Sequence, residues 1–249
     1  MALDEAVALE LAQCLGEDLA GDAADEPDEF AVPAASVVPR PAGLDATAAL
    51  WVAYSTAYGA LVEKAATRPG DHVLITAASS AVGLAAIQVA RQLGAVPLAV
   101  TRSGAKKDAL LAAGAEAVIA TDRDDVSEAA HRHTGGAGAD IILDTVMGPG
   151  LADLSKAAKP GGTLVTAGWL DPRPASFPMN WPLTIIGYAS FEHSLDPTVV
   201  RRIAAFLEAG LRTGALRPTV DRVFGLDDIV AAHAYLEEGR QVGKIVVTV

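Results

Sequence analysis

Residues 72–93, "HVLITAASSAVGLAAIQVARQL", run from four apolar or β-favouring positions through a cluster of small residues into a long apolar stretch. The first part reads as a short buried strand, "HVLIT", and the last as a helix ending near Leu93. Between them lies "ITAASSAVG" (75–83), whose single glycine is Gly83. A strand-to-helix turn of this kind points backbone N–H groups at whatever sits above it, and the helix dipole favours an anion there. Aligned on Gly83, Ala78 and Ser80 fall where a dinucleotide-binding turn has its first two glycines. Alanine adds one methyl group, and serine adds a hydroxyl that can donate to a phosphate oxygen. By itself the pattern fits a phosphate turn and a packing turn about equally.

The rest of the chain repeats the alternation. After a helix over 46–66, closed by Pro69 and Gly70, the expected strands are 72–76, "VPLAVT" (96–101), "AVIA" (117–120), "DIILD" (140–144) and "GTLVTAG" (162–168). Helical or loop material separates them, including a helix over 105–114. A proline-rich loop over 171–183 precedes a sixth strand, "LTIIGYAS" (183–190), expected at one edge of the sheet. A helix over 198–212, a strand over 219–224, a helix over 226–238 and a closing strand over 244–249 complete the reading. Strands apolar on both faces and joined by helices call for a parallel sheet covered on both sides. The fold class is therefore α/β, a Rossmann-type doubly wound sheet. Residues 1–29 read as an amphipathic helix with an acidic linker, 30–45 as extended chain, and 46–249 as the dinucleotide-binding unit.

Composition narrows the partners. The 249 residues carry 19 basic and 31 acidic side chains, a net charge of −12, with no cationic cluster to offset it. Nucleic acid and anionic membrane are disfavoured, leaving a small-molecule substrate. Cys14 is the only cysteine, and five scattered histidines offer no ligand set, so no metal site is expected. The beginning lacks a basic region followed by an apolar core, and no apolar run is long enough to span a bilayer. These features predict a cytoplasmic protein.

The end of the second strand bears on the cofactor. "AVTRSGAKK" places Arg102, Lys106 and Lys107 where an NAD site has an acid for the ribose 2′-hydroxyl. Cations there suit a 2′-phosphate, which predicts NADP(H). For Lys107 a solvated helix start is the better reading.

The stretch from "LWVAYSTAYGALVEKAATRPGDHVLI" through "LLAAGAEAVI" resembles the medium-chain dehydrogenase/reductase superfamily, and within it the zinc-free quinone oxidoreductase (zeta-crystallin-like) branch. The likeness runs from about Phe30 to Val249. It implies a turn that works with alanine and serine in the glycine places, so Ser80, Ala81, Val82 and Gly83 would hold the pyrophosphate. It places Thr56 facing the nicotinamide, and Arg102 and Lys106 around the 2′-phosphate. Thr121 would flank the adenosine, and Thr145, Val146, Ala167 and Gly168 would border the nicotinamide. Lys244 matches a basic position near the cofactor mouth, or is a surface lysine. Tyr54, Thr56 and Trp169 would line the substrate side as the catalytic set. The resemblance also implies a GroES-like domain, of which only the tail "DEFAVPAASVVPRPAGL" is recognisable. Activity is expected to be metal-free hydride transfer from NADPH to a quinone or α,β-unsaturated carbonyl. The alternative is a cofactor-binding but non-redox protein (a lyase, isomerase, cyclase or partner subunit) on the same scaffold. The family further implies a homodimer joined through the edge strand near 183–190.

Overall fold

The computed structural model describes residues 50–179 and 181–248, so the expectations for residues 1–49 lie outside the described residues. Helix α1 (Trp51–Tyr58) continues into a π-helical turn, Gly59–Lys64. The alternation then runs β1 (His72–Ile75), α2 (Ala81–Gln92), β2 (Val96–Thr101), α3 (Lys107–Ala112), β3 (Ala117–Ala120), α4 (Val126–His133) and β4 (Ala139–Asp144). It continues with α5 (Leu151–Ser155), β5 (Ala158–Thr166), β6 (Thr184–Gly187), α6 (Phe191–Ser194), α7 (Pro197–Thr213), β7 (Val220–Gly225), α8 (Ile229–Glu237) and β8 (Lys244–Thr248).

Six strands form one parallel sheet in the order β3-β2-β1-β4-β5-β6. This is the Rossmann order, with the direction of progression reversing between β1 and β4. The central strands bury both faces, as their unbroken apolar runs require. Val73, Ile75, Ile141 and Leu143 face one core, shared with α1, α2 and α7. Leu74, Leu98, Ile142 and Leu164 face the other, shared with α4 and α5. The expected α/β doubly wound architecture is therefore present.

Two details depart from expectation. The edge strand, Thr184–Gly187, is shorter than 183–190, and Tyr188 just beyond it sets its hydroxyl against the π-helical turn at Gly59. A Cβ on Gly59 would sit 1.9 Å from that hydroxyl, so any larger residue there requires the Tyr188 ring to shift. The strands β7 and β8 pair with each other in a separate two-stranded parallel sheet.

Local signals set the helix ends. Ser80 caps α2, its side chain accepting from the Gly83 amide. Asp196 caps α7 by accepting from Thr198 and Val199, Pro197 opens the helix, and Gly214 ends it at φ 73°. Among the described residues no helix is long and apolar enough to cross a membrane.

One polar side chain ties α1, α2 and the C-terminal return together inside the core. Gln88, 6% exposed on α2, accepts from the Tyr54 hydroxyl at 2.8 Å and from the Arg217 amide at 2.6 Å. Its own amide donates to the Arg217 carbonyl at 3.1 Å. Replacing Tyr54 by Phe removes one bond and leaves Gln88 otherwise satisfied, which should cost about 1 kcal/mol. Gln88→Leu strands a hydroxyl, an amide and a carbonyl, and should cost roughly 3 kcal/mol or more. Urea unfolding of both variants checks this ranking. Equal losses would show that Gln88 does not organise the three segments.

Candidate functional site: the carboxyl ends of β1 to β5

The crest of the sheet at the switch point is built outward from one glycine. Gly83 lies in the first turn of α2, and a Cβ on it would sit 2.6 Å from the Ala77 carbonyl oxygen and from the Ala78 backbone. The helix can approach the turn only because that atom is missing. Ala77 takes the left-handed conformation at φ 43°, one residue before the position aligned with the first glycine. Ser80 spends its acceptor on the Gly83 amide at 3.0 Å and keeps its O–H proton to donate. The Ala81 and Val82 amides, in the first helical turn, have no carbonyl one turn back to serve. The turn thus offers two amides, one hydroxyl and the positive end of α2 to an anion.

Across the switch point, β1 and β4 are tied by side chains. The Thr76 hydroxyl donates to Asp144 Oδ1 at 2.7 Å and accepts from the Thr145 amide at 2.9 Å. Asp144 is 1% exposed, and its carboxylate also accepts from the Val146 amide at 3.1 Å and the Met147 amide at 2.9 Å. This buried carboxylate shapes the loop after β4. The loop after β5 is zipped to it by backbone bonds. Ala167 donates to Asp144 O at 2.8 Å, Leu170 to Thr145 O at 3.2 Å, and Asp171 to Val146 O at 3.0 Å. Gly168 passes so close that its Cβ would lie 3.1 Å from Thr145 O.

At the other end of the crest, Arg102 is exposed directly after β2, and Thr121 lies exposed after β3. Thr121 N donates to Thr101 O at 2.9 Å, holding the two strand ends together. Lys106 is half-buried beside them and donates to Ser79 Oγ, Gly239 O and Gln241 O. The C-terminal segment closes over this region. Gly243 pairs with Ser80, and its amide donates to Ser79 O at 3.0 Å, which sets Lys244 beside the turn at the start of β8.

The structure therefore brings Ser80, Ala81, Val82, Gly83, Arg102, Lys106, Thr121, Thr145, Val146, Ala167, Gly168 and Lys244 to one continuous crest or to the segment lying on it. The expected substrate-side set is not assembled in the same way. Thr56 is buried at 6% within α1, and Trp169 stands 76% exposed after β5. Tyr54 requires a correction. It is 2% exposed in the core with its hydroxyl given to Gln88, and burial pushes its pKa well above the ordinary phenol range. It is a framework residue and no proton donor. Reading the sequence also missed Thr76, Asp144, Ser79 and Ala77. An aspartate closing an apolar strand was the available signal for Asp144.

Two orphaned atoms mark the ends of the crest. Thr145 Oγ1 and Gln241 Oε1 are both buried without a hydrogen-bond partner. A buried polar atom left unpaired in a protein at a binding crevice suits a ligand that completes it. Among the described residues no group of three His, Cys, Asp or Glu side chains could hold a metal ion.

The fold and crest define a dinucleotide-type α/β protein, and comparison with known proteins gives the family. The profile described as "zinc-binding dehydrogenase" matches residues 113–247, more than half of the chain. The chain belongs to that family, within the medium-chain dehydrogenase/reductase superfamily and on its quinone oxidoreductase branch. The described residues do not fit the zinc of the family's description. The chain is 34% identical over 242 residues to the spectinabilin polyketide synthase system protein NorB of Streptomyces orinoci, covering 95% of this chain and 10% of that protein. It is 30% identical over 195 residues to the quinone oxidoreductase of Homo sapiens, covering 77% of this chain and 58% of that one. Among solved structures, the CurK enoyl reductase superposes with a TM-score of 0.74 at 26% identity, over 85% of this chain and 65% of that chain. The chain thus spans about a tenth of the first relative and somewhat over half of the second.

Gly83→Val should disrupt the turn, because the added atoms meet backbone that cannot swing aside. Ser80→Gly removes a helix cap but no steric necessity, and should cost at most about 1 kcal/mol. Thermal unfolding together with dinucleotide binding separates the two. Binding at parental affinity by Gly83→Val would show that the crest does not depend on this close approach.

Proposed function

We propose that the chain binds NADP(H) along this crest and supports metal-free hydride transfer to a quinone or an α,β-unsaturated carbonyl. The observation that carries the reading is the alignment of a bare helix N-terminus at Ala81 and Val82 with Arg102 and Lys106 beyond β2. A pyrophosphate and a 2′-phosphate need those two features at neighbouring strand ends. The human quinone oxidoreductase and the CurK enoyl reductase support the substrate class.

When bound, the cofactor supplies the hydride. The protein's part is orientation: the zipped loops after β4 and β5 form a rigid shelf, with Thr145 Oγ1 free to take a hydrogen bond from a carboxamide. Trp169 offers an apolar face beside that shelf. With Tyr54 sequestered, the proton that follows the hydride onto the substrate comes from water, to which the Trp169 side is open. The likeness to the CurK enoyl reductase supports the enone over the quinone. A non-redox use of the same crest is the second reading. It is favoured by the burial of Tyr54, which takes that phenol away from the crest.

The open edge of β6 supports a homodimer, since Thr184 and Gly187 are exposed and Ile185 and Ile186 half-buried at the sheet's margin. Sedimentation at micromolar concentration should show twice the chain mass. A species of 25.4 kDa would remove the dimer.

Arg102→Ala should raise the KM for NADPH roughly tenfold or more and leave that for NADH within about twofold, a charge-assisted bond being worth roughly 1.5–3 kcal/mol. Oxidation of each cofactor is followed with crotonyl thioesters and with quinones. Equal effects on both cofactors would overturn the NADP(H) assignment. Tight cofactor binding without turnover of either substrate set would favour the non-redox reading.

A further inference from the structure

Lys106 ends the short 3-10 turn Gly104–Lys106 that follows β2. Its ammonium has three donors and finds three neutral acceptors, Gln241 O at 2.5 Å, Gly239 O at 2.9 Å and Ser79 Oγ at 3.3 Å. Among the described residues no carboxylate is hydrogen-bonded or ion-paired to it. Burial and the neighbouring Arg102 charge push its pKa below the ordinary lysine range, and Asp221 offsets them only in part. A second cation, Arg102, reaches the same Gly239 carbonyl at 3.5 Å. Two positive groups thus share one neutral acceptor, the Gly239 carbonyl, in a chain whose net charge is −12.

Those acceptors belong to two distant parts of the chain. Ser79 lies in the turn after β1, and Gly239 and Gln241 lie between α8 and β8. The same C-terminal segment is held further along, where Gly243 N donates to Ser79 O at 3.0 Å and Val242 N to Asp221 Oδ1 at 2.9 Å. Residues 238–243 therefore lie as a strap against the phosphate turn. Lys106 and Ser79 fasten it on the side of the turn, and Asp221 holds it from β7. Gln241 Oε1, within the strap, is buried and unpaired, so the closed position leaves one polar atom of the strap unserved.

We propose that Lys106 is a positioning residue that bolts this strap over the turn, and that a phosphomonoester bound between Arg102 and Lys106 draws the ammonium off the Gly239 and Gln241 carbonyls and loosens it. The proposal rests on the cofactor reading above, in which that phosphomonoester is the 2′-phosphate. An ionised phosphate oxygen is a stronger acceptor than a neutral carbonyl. With three donors already placed, an ammonium that turns to phosphate must surrender at least one of its three acceptors, two of which are carbonyls of the strap. A dinucleotide without the 2′-phosphate leaves the bolt closed. The two cofactors then differ in what they do to the C-terminal segment as well as in affinity.

Hydrogen–deuterium exchange on the full chain tests this without any turnover, using adenosine 2′,5′-bisphosphate and adenosine 5′-monophosphate as probes. Saturating bisphosphate should make residues 238–243 exchange roughly tenfold faster, and the monophosphate should leave them unchanged. Lys106→Met should show the faster exchange with no ligand and respond no further, and Lys106→Arg should restore protection. Parental protection of 238–243 in Lys106→Met would overturn the bolt. Bisphosphate that binds by equilibrium dialysis yet slows exchange, or leaves it unchanged, would overturn the release. Failure of the bisphosphate to bind at all would overturn the cofactor reading and the release together, with the bolt still decided by Lys106→Met.

Discussion

The distance between α2 and the turn after β1 is set by an absent methyl group. With a Cβ on Gly83, the helix would meet the Ala77 and Ala78 backbone at 2.6 Å and would have to lift away. The Ala81 and Val82 amides would lift with it, and so would the Ser80 pairing with Gly243. Neighbouring constraints propagate from the same point. Thr76, at the start of the turn, joins Asp144 and the Thr145 amide, and Asp144 shapes the loop to which the β5 loop is zipped. The crest from β1 to β5 is consequently one cross-tied backbone assembly, the kind of scaffold that can hold a cofactor in a fixed orientation.

Most of the fold was legible because the strands of the main sheet are buried on both faces and so read as short continuous apolar runs. The phosphate turn was legible through composition, small residues being needed wherever chain approaches chain. Its strained residue was not. Left-handed backbone at an alanine leaves no mark in the sequence, and it fell on Ala77 where alignment drew attention to Ala78. The pairing of β7 with β8 was equally hidden, since alternating apolar positions declare a strand and say nothing of its partner.

Tyr54 shows how packing decides what a sequence position leaves open. Its place in "AYSTAY" suggests the substrate side, yet Ala53, Tyr54, Ala57 and Leu61 are all buried, and the hydroxyl is spent within the core. The counter-signal was Gln88, a lone amide within the apolar run of α2. A buried amide requires partners, and Tyr54 with the Arg217 backbone provides them. The cations behave differently. Arg102 and Lys106 stand out against the net negative charge, and a local pair of positive groups beside a helix N-terminus keeps its meaning whatever the global field.

The account stands most directly on where the pyrophosphate lies. A crystal structure of the chain with NADP+ should place the pyrophosphate oxygens within hydrogen-bond distance of the Ala81 and Val82 amides, with the 2′-phosphate between Arg102 and Lys106. A dinucleotide bound elsewhere on the molecule, or with its pyrophosphate away from the Gly83 turn, would contradict it.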